Sequence, residues 1–336
     1  MIAASAACSV RRGGGTVLLA GIVAMAGAPL APRLPFAAGV AAQDAPAPEP
    51  LPRSRLAARA GNAWRTWWRS GAAPTRWTRA HPLPAAAVRW KQAAPGIEWG
   101  TLPLAGSGEA WRLLVVLVRV DPARHGLRLM EGADASLLAG RWTVDSAPAA
   151  ARVALNAGQF RYGTSWGWVV LDGAEVLPPR RGPLAMTVAQ DSAGRVHWIE
   201  DADVERARAT LRPRVAFQSY PALLVGDGEV PAPLGAAGLG LDVGHRDARL
   251  AMGELRDGRL LIALTRFDAL GESLGQVPFG PTVPEMAAIM GAMGCRRAVL
   301  LDGGTSAQLM LRDAGGAPHR WRGFRGVPLG LVVLPR

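Results

Sequence analysis

The chain has 336 residues, 49% of them hydrophobic, which suffices for a substantial core and excludes a chain disordered throughout. Its 38 basic residues outnumber 26 acidic ones, for a formal charge of +12, yet nearly all are arginines scattered along the sequence. A surface that tracks a nucleic-acid backbone needs clustered charge, so no nucleic-acid partner is expected, whereas an anionic substrate would be attracted.

Residues 1–42 read as an export signal. Arg11-Arg12 make a basic start, Thr16 to Ala31 an apolar run, and Val40-Ala41-Ala42 a small-residue stretch before Gln43. The arginine pair also suggests the twin-arginine route, for which Gly13-Gly14-Gly15 is a poor match. A periplasmic or secreted location is the expectation. Cys8 falls in the signal and leaves Cys295 alone, read as a buried structural thiol, so no intramolecular disulfide is expected. No pair among the five histidines has helical ligand spacing, which argues against a zinc site.

Residues 43–60, rich in Ala and Pro, read as a flexible linker, and 61–95 as a Trp- and Arg-rich extension. Trp64, Trp67 and Trp68 are spaced like one face of a short helix. That helix would pack its indoles on the catalytic domain; the alternative is docking to a membrane surface, and only this N-terminal segment offers membrane contact.

From 96 to 336 the sequence reads as a single catalytic domain. Strand-like runs recur between Gly, Pro and Asp turns: Trp111 to Val120, Arg152 to Leu155, Gly167 to Val170, Leu184 to Val188, Val196 to Ile199 and Val215 to Gln218. Arg249 to Leu255, Leu260 to Arg266, Ala298 to Leu301, Ala307 to Leu311 and Leu329 to Leu334 follow. Asp257-Gly258 marks a hairpin turn between two of them. One helix is indicated by Thr282 as N-cap, Glu285 closing a capping box, a Met286, Ile289, Met290, Met293 stripe, and Gly294 as stop. After it, Ala298 to Leu301 is apolar on both faces and predicts a central strand. The expected class is α+β: twisted, largely antiparallel or mixed β-sheets with a few packed helices.

Chemistry is expected where such strands end. Asp302 follows a buried run and precedes Gly303-Gly304, whose amides can converge on an anion, with Thr305 and Ser306 adding hydroxyls. Asn156-Ala157-Gly158 repeats the arrangement after Arg152 to Leu155. Ser219 in Gln218-Ser219-Tyr220-Pro221 is expected to line the pocket, but no Gly-x-Ser-x-Gly elbow makes it a nucleophile.

The order Asn156-Ala157-Gly158-Gln159-Phe160, Pro221 to Gly228, Arg249 to Gly253, the Thr282 helix and Leu301 to Ser306 resembles the phosphodiester glycosidase family. That family carries Asn-Gly-Gly-Phe-Phe, Arg-Thr-Ala-x-Gly and Asp-Gly-Gly-Gly-Ser segments. Asn156, Gly158, Phe160, Arg249, Gly253, Asp302, Gly303, Gly304 and Ser306 match; Ala157, Gln159, Leu250 and Thr305 depart. The resemblance implies a site for a sugar phosphate. Cleaving a sugar-phosphate bond needs stabilisation of a cationic sugar centre, charge compensation for phosphate and an activated nucleophile. Asp302 is then the key carboxylate, as base, nucleophile or metal ligand, Asn156 a sugar or metal ligand, and Arg249 with the Gly303 and Gly304 amides the phosphate clamp, with Arg246 next. Asp172 is the second carboxylate expected, ahead of Glu254 and Asp268. Asn156 and Asp302 could share a divalent cation, Ca²⁺ or Mg²⁺, although the chain has no Ca²⁺-loop pattern. The expected partner is a glycan or glycosyl-phosphate substrate, with the oligomeric state open. The competing reading is a non-catalytic carbohydrate-binding or exopolysaccharide-assembly protein.

Overall fold

Leu250–Leu255 and Leu260–Phe267 are buried at every position rather than alternately. The sheet they build is covered on both faces, so neither side of the strand can be polar. A computed structural model describes this arrangement for residues 51–132, 142–161, 163–235, 242–268, 277–315 and 317–336. The export signal and the first part of the linker lie outside the described residues.

The main sheet runs in the order Ala222–Leu224, Cys295–Leu301, Leu250–Leu255, Leu260–Phe267, Leu113–Val120, Ile97–Gly106, Arg55–Ala60, Ala63–Arg69, with Lys91–Ala94 added on Ile97–Gly106. Every pairing in it is antiparallel. A second sheet orders Ala174–Leu177, Val169–Leu171, Pro213–Ser219, Met186–Asp191 and Val196–Glu200. A third orders His319–Trp321, Leu309–Leu311, Val153–Asn156, Leu329–Pro335 and His125–Glu131.

Alternation along each main-sheet strand assigns its two faces. Leu250, Met252, Val299 and Leu301 face a core shared with Leu155, Leu309 and Leu331 of the third sheet and Met186 and Phe217 of the second. Ala251, Ala298 and Leu300 face the opposite way, onto Met286, Ile289 and Met290 of the helix Val283–Ala292. That helix has the expected start: the Thr282 side chain accepts from the Glu285 N–H at 3.3 Å, and the Glu285 carboxylate accepts from the Thr282 N–H at 2.9 Å. The architecture is thus α+β and dominated by antiparallel sheets.

Several expectations are corrected. Arg55–Ala60, within the predicted linker, is an interior strand of the main sheet with Leu56, Ala57 and Ala58 buried. The tryptophan segment is the edge strand Ala63–Arg69, not a helix, and only Trp68 of its three indoles is buried. Gly61-Asn62 joins the two strands, and Gly61 at φ 61° gives the tight turn that a glycine first in a two-residue hairpin loop allows. The compact unit therefore takes in the described residues from 51 onward rather than starting at Gly96. Cys295 opens its strand directly after Gly294, and burial pushes its thiol pKa up, as befits a structural thiol. Cys295–Leu301 is interior but next to the edge strand rather than central. No helix among the described residues is long and apolar enough to cross a membrane.

Candidate active site

Two strand ends meet at the site. Asp302 follows Cys295–Leu301, Asn156 ends Val153–Asn156, and backbone bonds lock the two segments together. The Asp302 N–H donates to the Gly158 carbonyl at 2.7 Å, and Asn156 Nδ2 donates to the Asp302 carbonyl at 2.7 Å. Asn156 Oδ1 accepts from the Gln308 N–H at 3.1 Å. Asn156 is wholly buried, so it sets the path of the Asp302 turn instead of reaching a sugar or sharing a cation with Asp302.

The paired glycines permit a close approach on the other side. A Cβ on Gly303 would stand 2.5 Å from the Ala248 carbonyl oxygen, and one on Gly304 2.7 Å from Asp247 Oδ2. The Gly304 N–H donates to the Ala248 carbonyl at 2.7 Å, so this amide is unavailable to a phosphate. No described residue engages the amides of Gly303 and Thr305.

These contacts leave a cleft of about 790 Å³, lined among others by Gln159, His245, Asp247, Arg249, Asp302, Thr305 and Arg325. Its size falls in the upper part of the range of roughly 300–1,000 Å³ typical of small-molecule sites. Asp302 Oδ2 is closed off from solvent and has no hydrogen-bond partner among the described residues. Burial raises the Asp302 pKa to about 6, against the pull of the Ser306 hydroxyl and the Arg325 charge, and the nearby Asp247 carboxylate raises it further. Burial also raises the Asp247 pKa, while the Arg249 charge and the Ala248 N–H, which donates to Oδ1 at 2.8 Å, favour the ionised form. Arg325 Nε donates to Ser306 Oγ at 3.0 Å, placing a guanidinium beside the Asp302 turn. The cleft thus joins two carboxylates to an arginine and to two backbone amides without a partner among the described residues.

The remaining predicted residues divide. Arg249 lines the cleft, but its Nε donates to the Pro281 carbonyl at 3.1 Å and its Nη2 to the His245 carbonyl, so much of its hydrogen bonding shapes the loops. Arg246 is committed to a bidentate pair with the fully buried Glu285 at 2.7 and 2.9 Å and is no free clamp. Asp172 is misplaced by the prediction: it lies half-exposed in the turn after Val169–Leu171, between Arg128 and Arg214, and does not line the cleft. Ser219 is buried and donates to the Leu300 carbonyl at 2.5 Å, so it supports the strand and does not line the cleft. Glu254 binds Arg296 and Arg297 at 2.6 and 2.9 Å, and Asp268 is also absent from the cleft lining.

Sequence reasoning missed Asp247, His245 and Arg325. Asp247 stands in Arg246-Asp247-Ala248-Arg249, just before a strand, and Arg325 between Phe324 and Gly326; neither spacing links them to Asp302. A neighbouring cavity of about 370 Å³, lined by Trp68, Trp77, Leu234 and Ala287, meets the cleft at Gly244 and Arg246 but carries no carboxylate.

A sequence profile of the phosphodiester glycosidase family matches residues 149–334. The fold is similar to the catalytic domain of zebrafish N-acetylglucosamine-1-phosphodiester alpha-N-acetylglucosaminidase, solved in a form auto-inhibited by its pro-peptide: TM-score 0.55, 18% identity, 79% of this chain and 94% of that one covered. A hypothetical protein from Synechocystis gives a TM-score of 0.46 at 15% identity, covering 74% of this chain and 64% of that one. No curated protein sequence matches.

Proposed function

The chain belongs to the phosphodiester glycosidase family, and from that premise we propose that it is an exported hydrolase cleaving sugar-phosphate diester bonds in envelope or exopolysaccharide glycans. The observation that carries the reading is Asp302: a carboxylate lining the cleft, with a pKa raised to about 6 and set beside Asp247 and Arg325. A carboxylate with a pKa near neutrality is suited to take and release protons at neutral pH.

In this reading water attacks the anomeric carbon, the bond from that carbon to the phosphate oxygen breaks, and the water proton passes to Asp302. The electron pair leaves with the phosphate monoester. Its charge is met by Arg325 and the Gly303 and Thr305 amides, while ionised Asp247 stabilises positive charge on the sugar. Asn156, Gly158 and Arg249 position these groups through the backbone. Export rests on the Arg11-Arg12 start and the Thr16 to Ala31 apolar run.

A panel of p-nitrophenyl sugar phosphodiesters, incubated with the purified protein with and without chelator, tests the proposal. Release of free sugar from at least one diester is expected, and the chelator arm reads whether a divalent cation takes part. Natively folded protein that releases no sugar from any diester contradicts the proposal.

A further inference from the structure

Large apolar side chains left in water call for a reason when they gather. Trp111, Phe279 and Phe324 are 53%, 42% and 59% exposed, and all three are tied to the walls of the Asp302 cleft. Phe279 is part of the wall itself. Its ring meets Phe267 edge-on at 5.3 Å, and Phe267 meets Trp111 edge-on at 5.6 Å, two residues beyond the wall residue Glu109. Phe324 precedes the wall residue Arg325, and its N–H donates to the carbonyl of the wall residue Thr305 at 2.8 Å. One aromatic group is thus fixed to the wall containing Phe279, and another to the wall containing Thr305 and Arg325.

The chemistry of these rims is mixed. The Arg112 guanidinium lies 5.7 Å from the Trp111 ring centroid, and Phe324 adjoins Arg325. A ring face packs on the C–H face of a pyranose, while an adjacent guanidinium donates hydrogen bonds to hydroxyl or phosphate oxygens. The core of a protein interface is depleted of charged residues, whereas here the rings are attached to a cleft lined by carboxylates and guanidiniums.

We infer that Trp111, Phe279 and Phe324 are stacking platforms for sugar residues beyond the scissile bond, so that the preferred ligand is a phosphate-bearing oligosaccharide or polysaccharide chain. This inference rests on the reading of the cleft as a glycosyl phosphodiester site. It makes the rim a determinant of chain-length specificity, separate from the carboxylates that act on the bond.

The test reads binding without turnover. The full chain carrying Asp302→Asn is applied to an array of neutral and phosphodiester-linked oligosaccharides of one to six sugars. Signal should rise with chain length on the phosphodiester-linked series, and should weaken about fivefold to tenfold when Trp111→Ala or Phe324→Ala is added. Trp64→Ala, on the edge strand, should bind as before, with thermal melts confirming that all variants fold. No dependence on length, or full binding by both rim variants, overturns the inference. The hydrolase reading is tested separately by turnover of short diesters, which a failed array leaves intact.

Discussion

Replacing Asp302 with Asn should remove turnover and, near neutral pH, make the protein more stable. The folded-state pKa of about 6 lies above the ordinary value of 3.8, so the folded protein holds this proton more tightly than the unfolded chain does. Below pH 3.8 the carboxyl is protonated in both states and the favourable contribution is fully present. It is lost as pH rises through about 6, because folded protein must then keep a desolvated carboxylate; at about 1.4 kcal/mol per pH unit the loss amounts to about 3 kcal/mol. Asn is nearly isosteric and uncharged, and relieves this penalty at the cost of about 1 kcal/mol for a buried amide without full partners. The net gain at about pH 7.5 is then about 2 kcal/mol, or a few degrees in melting temperature. Denaturant melts of both proteins at about pH 4 and pH 7.5 measure it, alongside a rate loss of about 10²–10⁴ for a missing general base. A variant less stable than wild type at the higher pH, or a difference that ignores pH, would refute the electrostatic account of Asp302.

Because Asp302 must be ionised to accept a proton from water, kcat/KM should climb with pH through about 6; a rate that falls over that interval, measured on the best diester, would reverse the assignment. Asn156→Ala strands the Asp302 carbonyl and the Gln308 N–H, so stability should fall by about 2–4 kcal/mol and kcat by about tenfold or more, with KM less affected. Arg246→Ala should cost about 3–5 kcal/mol by leaving buried Glu285 unpaired, and the paired replacement Arg246→Met with Glu285→Leu should recover much of it; a purely phosphate-binding Arg246 would instead raise KM at unchanged stability. Asp172→Asn, at φ 45° in its turn, should change turnover by less than about twofold, and a loss as large as that of Asp302→Asn would restore it as a catalytic candidate.

The sequence shows the strands well where burial is two-sided. Runs such as Leu260 to Arg266 have no polar face to confuse the reading, and the Thr282 capping box is a local signal that tertiary packing leaves intact. His125–Glu131 escaped notice because Arg128 and other polar positions break its apolar run into short alternation. The tryptophan segment misled for the opposite reason. Its spacing fits a helix face, but the Gly61-Asn62 turn and pairing with Arg55–Ala60 decide the conformation. At the site, Asp302 and the glycines were legible because a polar residue at a buried strand end is a local pattern. Asp247 and Arg325 were not, since only packing of the sheets brings their loops to Asp302. Nor can sequence tell which amide is spent: Gly304 looks like Gly303 until its bond to Ala248 is seen.

The central claim is that this cleft breaks a sugar's bond to phosphate oxygen at the anomeric carbon. Turnover of a glycosyl methyl phosphodiester in oxygen-18 water, followed by mass spectrometry of both products, addresses it most directly. The label should appear in the released sugar, with none in the methyl phosphate; label in the methyl phosphate would show attack at phosphorus and contradict the account.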